Sequence, residues 1–208
     1  MSIISILNKQ SQIIGNKSLL SLLHQIKNGS FQTQITSYRK EVDTQRQILQ
    51  FTPYGTYYHK QNRLILQSYS QAILLEIESI NIEDLDAIIH TICHQTYTYA
   101  CFQNIERNTL KVIVFTNNEA PTEHANSYEQ VRSYYERKLD LPISERGIDL
   151  YYSCPISYDP YIYINTQATR FPYTKKPTLP PLAGAKIKTI PKLLNPFSYF
   201  FPKSIVTN

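Results

Sequence analysis

Between Ala72 and Ile156 the hydrophobic period switches repeatedly between two and about 3.6 residues, and the order of those switches constrains the fold more than any other property of the chain. Ala72-Ile-Leu-Leu-Glu-Ile-Glu78 is a short apolar run with the length of a strand. Asn81 to Ile92 follows with a capping Asn81, acids in its first turn and Ile82, Leu85, Ile88, Ile89 and Ile92 at helical spacing. Thr96–Phe102 is rich in aromatic and β-branched residues and predicts a strand, as does Leu110–Phe115. Glu123–Leu139 predicts a long helix with Tyr128, Val131, Tyr135 and Leu139 on one side. Leu150–Ile156 and Tyr161–Ile164 predict the closing strands.

Read in order, residues 72–156 give β-α-β-β-α-β, which predicts an α/β (α+β) fold with the split βαβ core of ferredoxin-like and RRM-like domains. That topology sets the first and third strands side by side in the centre and both helices on one face. Residues two apart on a strand share a face. Ile73, Leu75, Ile77, Leu110, Val112 and Val114 should therefore meet the helices. Glu76, Glu78, Lys111, Ile113 and Phe115 should share the open face, with Asp149 arriving at the start of the last strand. Paired carboxylates with a third acid are the oxygen donors that Mg²⁺ or Mn²⁺ requires for phosphoryl transfer, and a lysine beside them would neutralise triphosphate charge. Solvated acids at a strand end fit the same pattern.

Upstream, Asn16–Gly29 predicts an amphipathic helix capped by Asn16, with Leu19, Leu20, Leu23 and Ile26 as its stripe. Ser37–Leu49 is a second helical candidate, with Tyr38, Val42 and Leu49 on one face. Thr52-Pro-Tyr-Gly-Thr56 is a turn, and Tyr57–Leu66 offers one or two short strands. Domain boundaries follow: an N-terminal arm over 1–15, a domain over 16–168 with an N-terminal helical and β-strand extension, and a Pro-rich, basic C-terminal tail over 169–208.

The formal net charge of +5 favours a nucleic-acid partner, although the charge sits largely in the tails. Cys93, Cys101 and Cys154 form no metal-binding spacing and read as buried, reduced thiols of a cytoplasmic protein. No apolar run approaches the roughly 18 residues of a membrane helix, so no membrane partner is expected. His90 and His94 lie one helical turn apart, the spacing of a zinc-ligand pair and equally of two helix-surface histidines. The strand Leu110–Phe115 lacks the Gly-Phe-Gly-Phe-like run of an RNA-binding sheet, and acids on its open face would repel phosphate.

Phe51-Thr-Pro-Tyr-Gly-Thr56, Ser70–Glu78, Tyr97-Thr-Tyr-Ala-Cys-Phe102, Leu110-Lys-Val-Ile-Val114, Tyr134-Tyr-Glu136, Ser157-Tyr-Asp-Pro160 and Tyr163-Ile-Asn165 together resemble the VirE N-terminal domains of Bacteroidetes genomes and mobile elements. These are grouped with the primase-polymerase superfamily. The resemblance implies an open sheet face that binds metal and nucleotide, with Glu76, Glu78 and Asp149 as catalytic metal ligands and Lys111 and Arg107 on the nucleotide. Three departures imply a degenerate site: glutamates replace the motif aspartates, the Gly-rich loop is Asn104–Thr109, and Tyr152 stands in place of an arginine. The expected function is that of a replication module binding single-stranded DNA, nucleotides, a helicase or another replication protein. The alternatives are an active Mg²⁺- or Mn²⁺-dependent nucleotidyltransferase of the DNA primase type and a protein-interaction module that does not bind nucleic acid.

Overall fold

A computed structural model describes residues 2–40, 48–61 and 63–175. The strands among the described residues are β1 (Ile3–Leu7), β2 (Ile13–Ser18), β3 (Gln50–Phe51), β4 (Gly55–Lys60), β5 (Arg63–Tyr69), β6 (Ala72–Ile77), β7 (Thr98–Gln103), β8 (Leu110–Phe115), β9 (Cys154–Pro155) and β10 (Tyr163–Ile164). The α-helices are α1 (Leu19–Lys27), α2 (Gln32–Arg39), α3 (Leu85–Cys93) and α4 (His124–Leu139). The protein is a mixed α+β fold of antiparallel sheets. One sheet has the order β10-β7-β8-β6, a second β2-β1-β3-β9, and β4–β5 form a separate ribbon.

The β10-β7-β8-β6 sheet is covered on both faces. On one face, Ile73, Leu75, Ile77, Leu110, Val112 and Val114 pack with Ile92 of α3 and with Tyr128, Val131 and Tyr135 of α4, as the alternation predicts. On the other, Leu74, Phe102 and Ile113 join Ile4, Ile6, Phe51 and the buried side of α1 in a second core. The face expected to be open is therefore closed by α1 and the N-terminal sheet. The physical reason is that both faces are apolar, and a sheet so constituted must be covered twice.

Residues 3–7, expected as part of an arm, are the second strand of that N-terminal sheet, with Ile4, Ile6 and Leu7 buried. The first helix begins after β2, so Ser18 caps it in place of Asn16, its hydroxyl accepting from Ser21 N–H. Leu22 takes the buried position assigned to Leu20. The second helix ends at Arg39. Most of the stretch expected to continue it falls on 41–47, outside the described residues, and Leu49 is not helical. Helix α3 starts at Leu85, and Ile82 is 82 % exposed.

The closing strand of the expected βαββαβ string is not beside β6. Ser144 N–H donates to Glu76 C=O at 3.0 Å, and the chain then turns through a 3₁₀ segment, Arg146–Ile148. Only Cys154–Pro155 is extended and paired, and it pairs with β3. Gly147 sets this path: a Cβ there would lie 2.4 Å from the Tyr128 ring and 2.5 Å from Leu74 O. Its carbonyl accepts from Tyr54 Oη at 2.8 Å and from His124 Nε2–H at 3.1 Å. Such anchoring at a single carbonyl holds a turn where a strand would need a ladder.

The first residues of the expected tail are also part of the packing. Phe171 is buried against Tyr97 and Tyr134 in edge-to-face contacts, with centroids at 5.1 and 5.6 Å. Gln130 holds Thr174 by both backbone groups.

Candidate functional site

Glu76 and Lys111 are register partners on β6 and β8, on the face that the second core covers. Lys111 is wholly buried, and its Nζ forms an ion pair with Glu76 Oε1. The other carboxylate oxygen, Oε2, accepts from Tyr152 Oη at 3.0 Å, while Lys111 Nζ donates to that same Tyr152 oxygen at 3.0 Å. Burial pushes the Tyr152 phenol far above its ordinary pKa, so it stays a donor at any physiological pH. The three groups form a closed triangle in which each polar atom has a partner, the condition for a charge to be tolerated out of water.

Glu78, just beyond the strand end, is more open, and Arg146 bridges the two acids, lying 3.0 Å from Glu78 Oε1 and 3.7 Å from Glu76 Oε2. Asp149 is exposed at the end of the 3₁₀ turn, where its Oδ1 accepts from Tyr151 N–H at 2.9 Å. Among the described residues no three His, Cys, Asp or Glu side chains gather around one cation position. The expected trio of Glu76, Glu78 and Asp149 thus does not assemble. The cationic partners of Glu76 are Lys111 and Arg146, and a metal ion would have to displace both a buried ammonium and a phenol hydrogen bond.

Arg107 lies apart from that triangle, in the Asn104–Thr109 loop, which binds back on itself through Asn104 N–H to Thr109 C=O. It lines a groove of about 580 Å³ with Thr36, Tyr38, Arg39, Lys40, Ile105 and Glu106. Arg39 is fixed there: its guanidinium donates to the carbonyls of Ile105 and Asn104, each at 2.8 Å, and of Tyr158 at 3.3 Å. Partial burial and the nearby Arg107 charge lower the Arg39 pKa, which records two guanidinium groups held close together. Lys40 and Arg107 are exposed. Three cations against one acid, Glu106, with a tyrosine in the wall, suit an anionic ligand.

Arg39, Arg146 and His124 are polar residues that the sequence alone does not place, and Tyr152, aligned there with a lost arginine, is instead a hydrogen-bond donor to Glu76. His124 is buried between Tyr54 and Tyr69, its Nδ1 accepting from Tyr69 Oη at 3.0 Å, and burial brings its pKa down to about 4. Gly147, one of only five glycines, was the available signal that the chain makes a tight approach at this point. Two of the three thiols are buried as expected, and their pKa values are raised, Cys101 through its hydrogen bond with Cys93 and burial, Cys154 by burial to about 12; Cys93 is half-buried, and that same hydrogen bond lowers its pKa. His90, in the last turn of α3, and His94, its C-cap, are exposed, with ring centroids 4.0 Å apart. No described helix is long and apolar enough to cross a membrane.

No curated protein and no solved structure matches the chain. One family model does, over residues 43–164, and its description is "BT4734-like, N-terminal domain". It is a different description from that of the VirE N-terminal domains, so the resemblance drawn above, with its primase assignment, is corrected by this match. Because the match spans more than half of the sequence, from before β3 through β10, the chain belongs to the BT4734-like N-terminal domain family.

Proposed function

We propose that this domain binds single-stranded nucleic acid through its basic groove and serves as a binding module, without metal-dependent phosphoryl transfer of its own. The observation that carries this reading is the pairing of Arg39 and Arg107 in one groove with Lys40 and Tyr38. Phosphate contacts need cations whose charge is not already spent internally, and stacking needs a ring at the wall. Arg39 serves as the fixed element, since its donors are largely committed to carbonyls, while Lys40 and Arg107 supply the mobile phosphate contacts. The formal net charge of +5 adds long-range attraction.

The Glu76–Lys111–Tyr152 triangle supports the non-catalytic half of the proposal. Catalytic acids must reach substrate and metal, whereas this carboxylate is 4 % exposed and already satisfied.

Fluorescence anisotropy with a labelled oligodeoxythymidylate at 50–200 mM salt tests the reading. Binding that weakens steeply with salt, and weakens further in a Lys40→Ala, Arg107→Ala variant irrespective of base sequence, is the expected result. No binding at 50 mM salt removes the proposal.

A further inference from the structure

The β4–β5 ribbon carries a charge arrangement that its own stability does not explain. Lys60 and Arg63 are register partners at its tip, both exposed, and neither is in an ion pair among the described residues. Like charges facing each other across an antiparallel pair destabilise it. No acidic residue occurs in the sequence between Asp43 and Glu76 to offset them. Gln61, in the turn that joins the two, has a φ of 49°, the left-handed conformation that disfavours a residue with a Cβ.

Alternation along the ribbon sorts its side chains. Tyr58 and Lys60 share one face with their partners Ile65 and Arg63. Tyr57 and His59 lie on the other, which faces the body of the protein: Tyr57 Oη donates to Leu150 C=O, and a His59 ring nitrogen is 3.2 Å from Ser11 O. The outward face thus presents two adjacent cations and a tyrosine ring that is 44 % exposed.

We infer that this outward face is a second contact surface for single-stranded nucleic acid, with Lys60 and Arg63 on backbone phosphates and the Tyr58 ring stacked on a base. The inference deepens the reading given above and rests on it. An intervening phosphate turns the Lys60–Arg63 repulsion into shared attraction, and an exposed aromatic two residues from a cation is the combination that holds unpaired bases without sequence preference. An anionic membrane is the poorer fit, because the only large aliphatic side chain on this face, Ile65, is already half-buried.

The test is anisotropy titration of the full chain and of three variants with the labelled oligodeoxythymidylate, with phosphatidylserine vesicles titrated in parallel. Lys60→Ala with Arg63→Ala should lower affinity on the order of tenfold and reduce the slope of log K against log salt by about 1.4, as expected for two lost single-strand phosphate contacts. Tyr58→Ala should cost on the order of tenfold with the salt slope unchanged. Lys60→Glu places opposite charges across the ribbon, so its melting temperature should hold or rise while its affinity falls. Ribbon variants that bind as the parent does, in a protein whose binding still depends on Lys40 and Arg107, overturn the inference and leave the groove reading standing. Absence of oligonucleotide binding by the parent overturns both, as does binding to the vesicles alone.

Discussion

Glu76 and Lys111 stand directly opposite each other on neighbouring strands and pair their charges inside the protein, under the N-terminal layer. Removing one member would leave the other charged and without its partner out of water, which costs about 3–5 kcal/mol. Glu76→Gln and Lys111→Met should each destabilise the fold by that order in urea titrations. The double variant should recover much of the loss, because two neutral side chains of similar volume no longer strand a charge. Independent, additive losses would contradict the closed triangle.

His124 makes stability depend on pH. Its folded pKa is about 4, against about 6.5 in an unfolded chain. The unfolded state therefore binds the extra proton between these values. The contribution is fully present above pH 6.5 and is lost as pH falls towards 4, by about 3 kcal/mol in total. Urea midpoints measured from pH 7.5 to 4 should show this decline, and His124→Phe should flatten it.

Gly147→Ala should lower stability by about 1–3 kcal/mol through overpacking, since the new methyl meets the Tyr128 ring and the Leu74 carbonyl. Thermal melting is the direct readout. A variant that melts with the parent would mean that the turn at 146–148 shifts without penalty.

Millimolar Mg²⁺ or Mn²⁺ should leave the melting temperature where it is, because a ligand raises it only by binding the folded state. The Glu76 carboxylate that a cation would use already binds Lys111 and Tyr152. A rise with either ion, abolished by Glu78→Gln, would reinstate a metal site.

The parts of the fold set by local pattern were legible in the sequence. Leu110–Phe115 and the stripe of Tyr128, Val131 and Tyr135 needed only their own periodicity to be read. The chain's choice of distant partners was not. Nothing near Cys154 says that it will pair with Phe51 instead of lying along β6. The covered second face did leave a trace: Leu74, Ile113 and Phe102 are apolar on the side assigned to solvent, and that excess called for another layer. At the candidate site, alternation correctly aligned Glu76 with Lys111, but Asp149 depended on a strand that the Gly147 turn replaces.

The N-terminal sheet joins residues 3–7, 50–51 and 154–155. Contacts between segments so remote must wait for large loops to close, which slows folding. During synthesis, Leu74 and Ile113 can be shielded early by α1, but the sheet above them stays open on one flank until Cys154 has left the ribosome. Premature release before that point would leave Phe51 without its Cys154 partner and the second core uncovered on that flank.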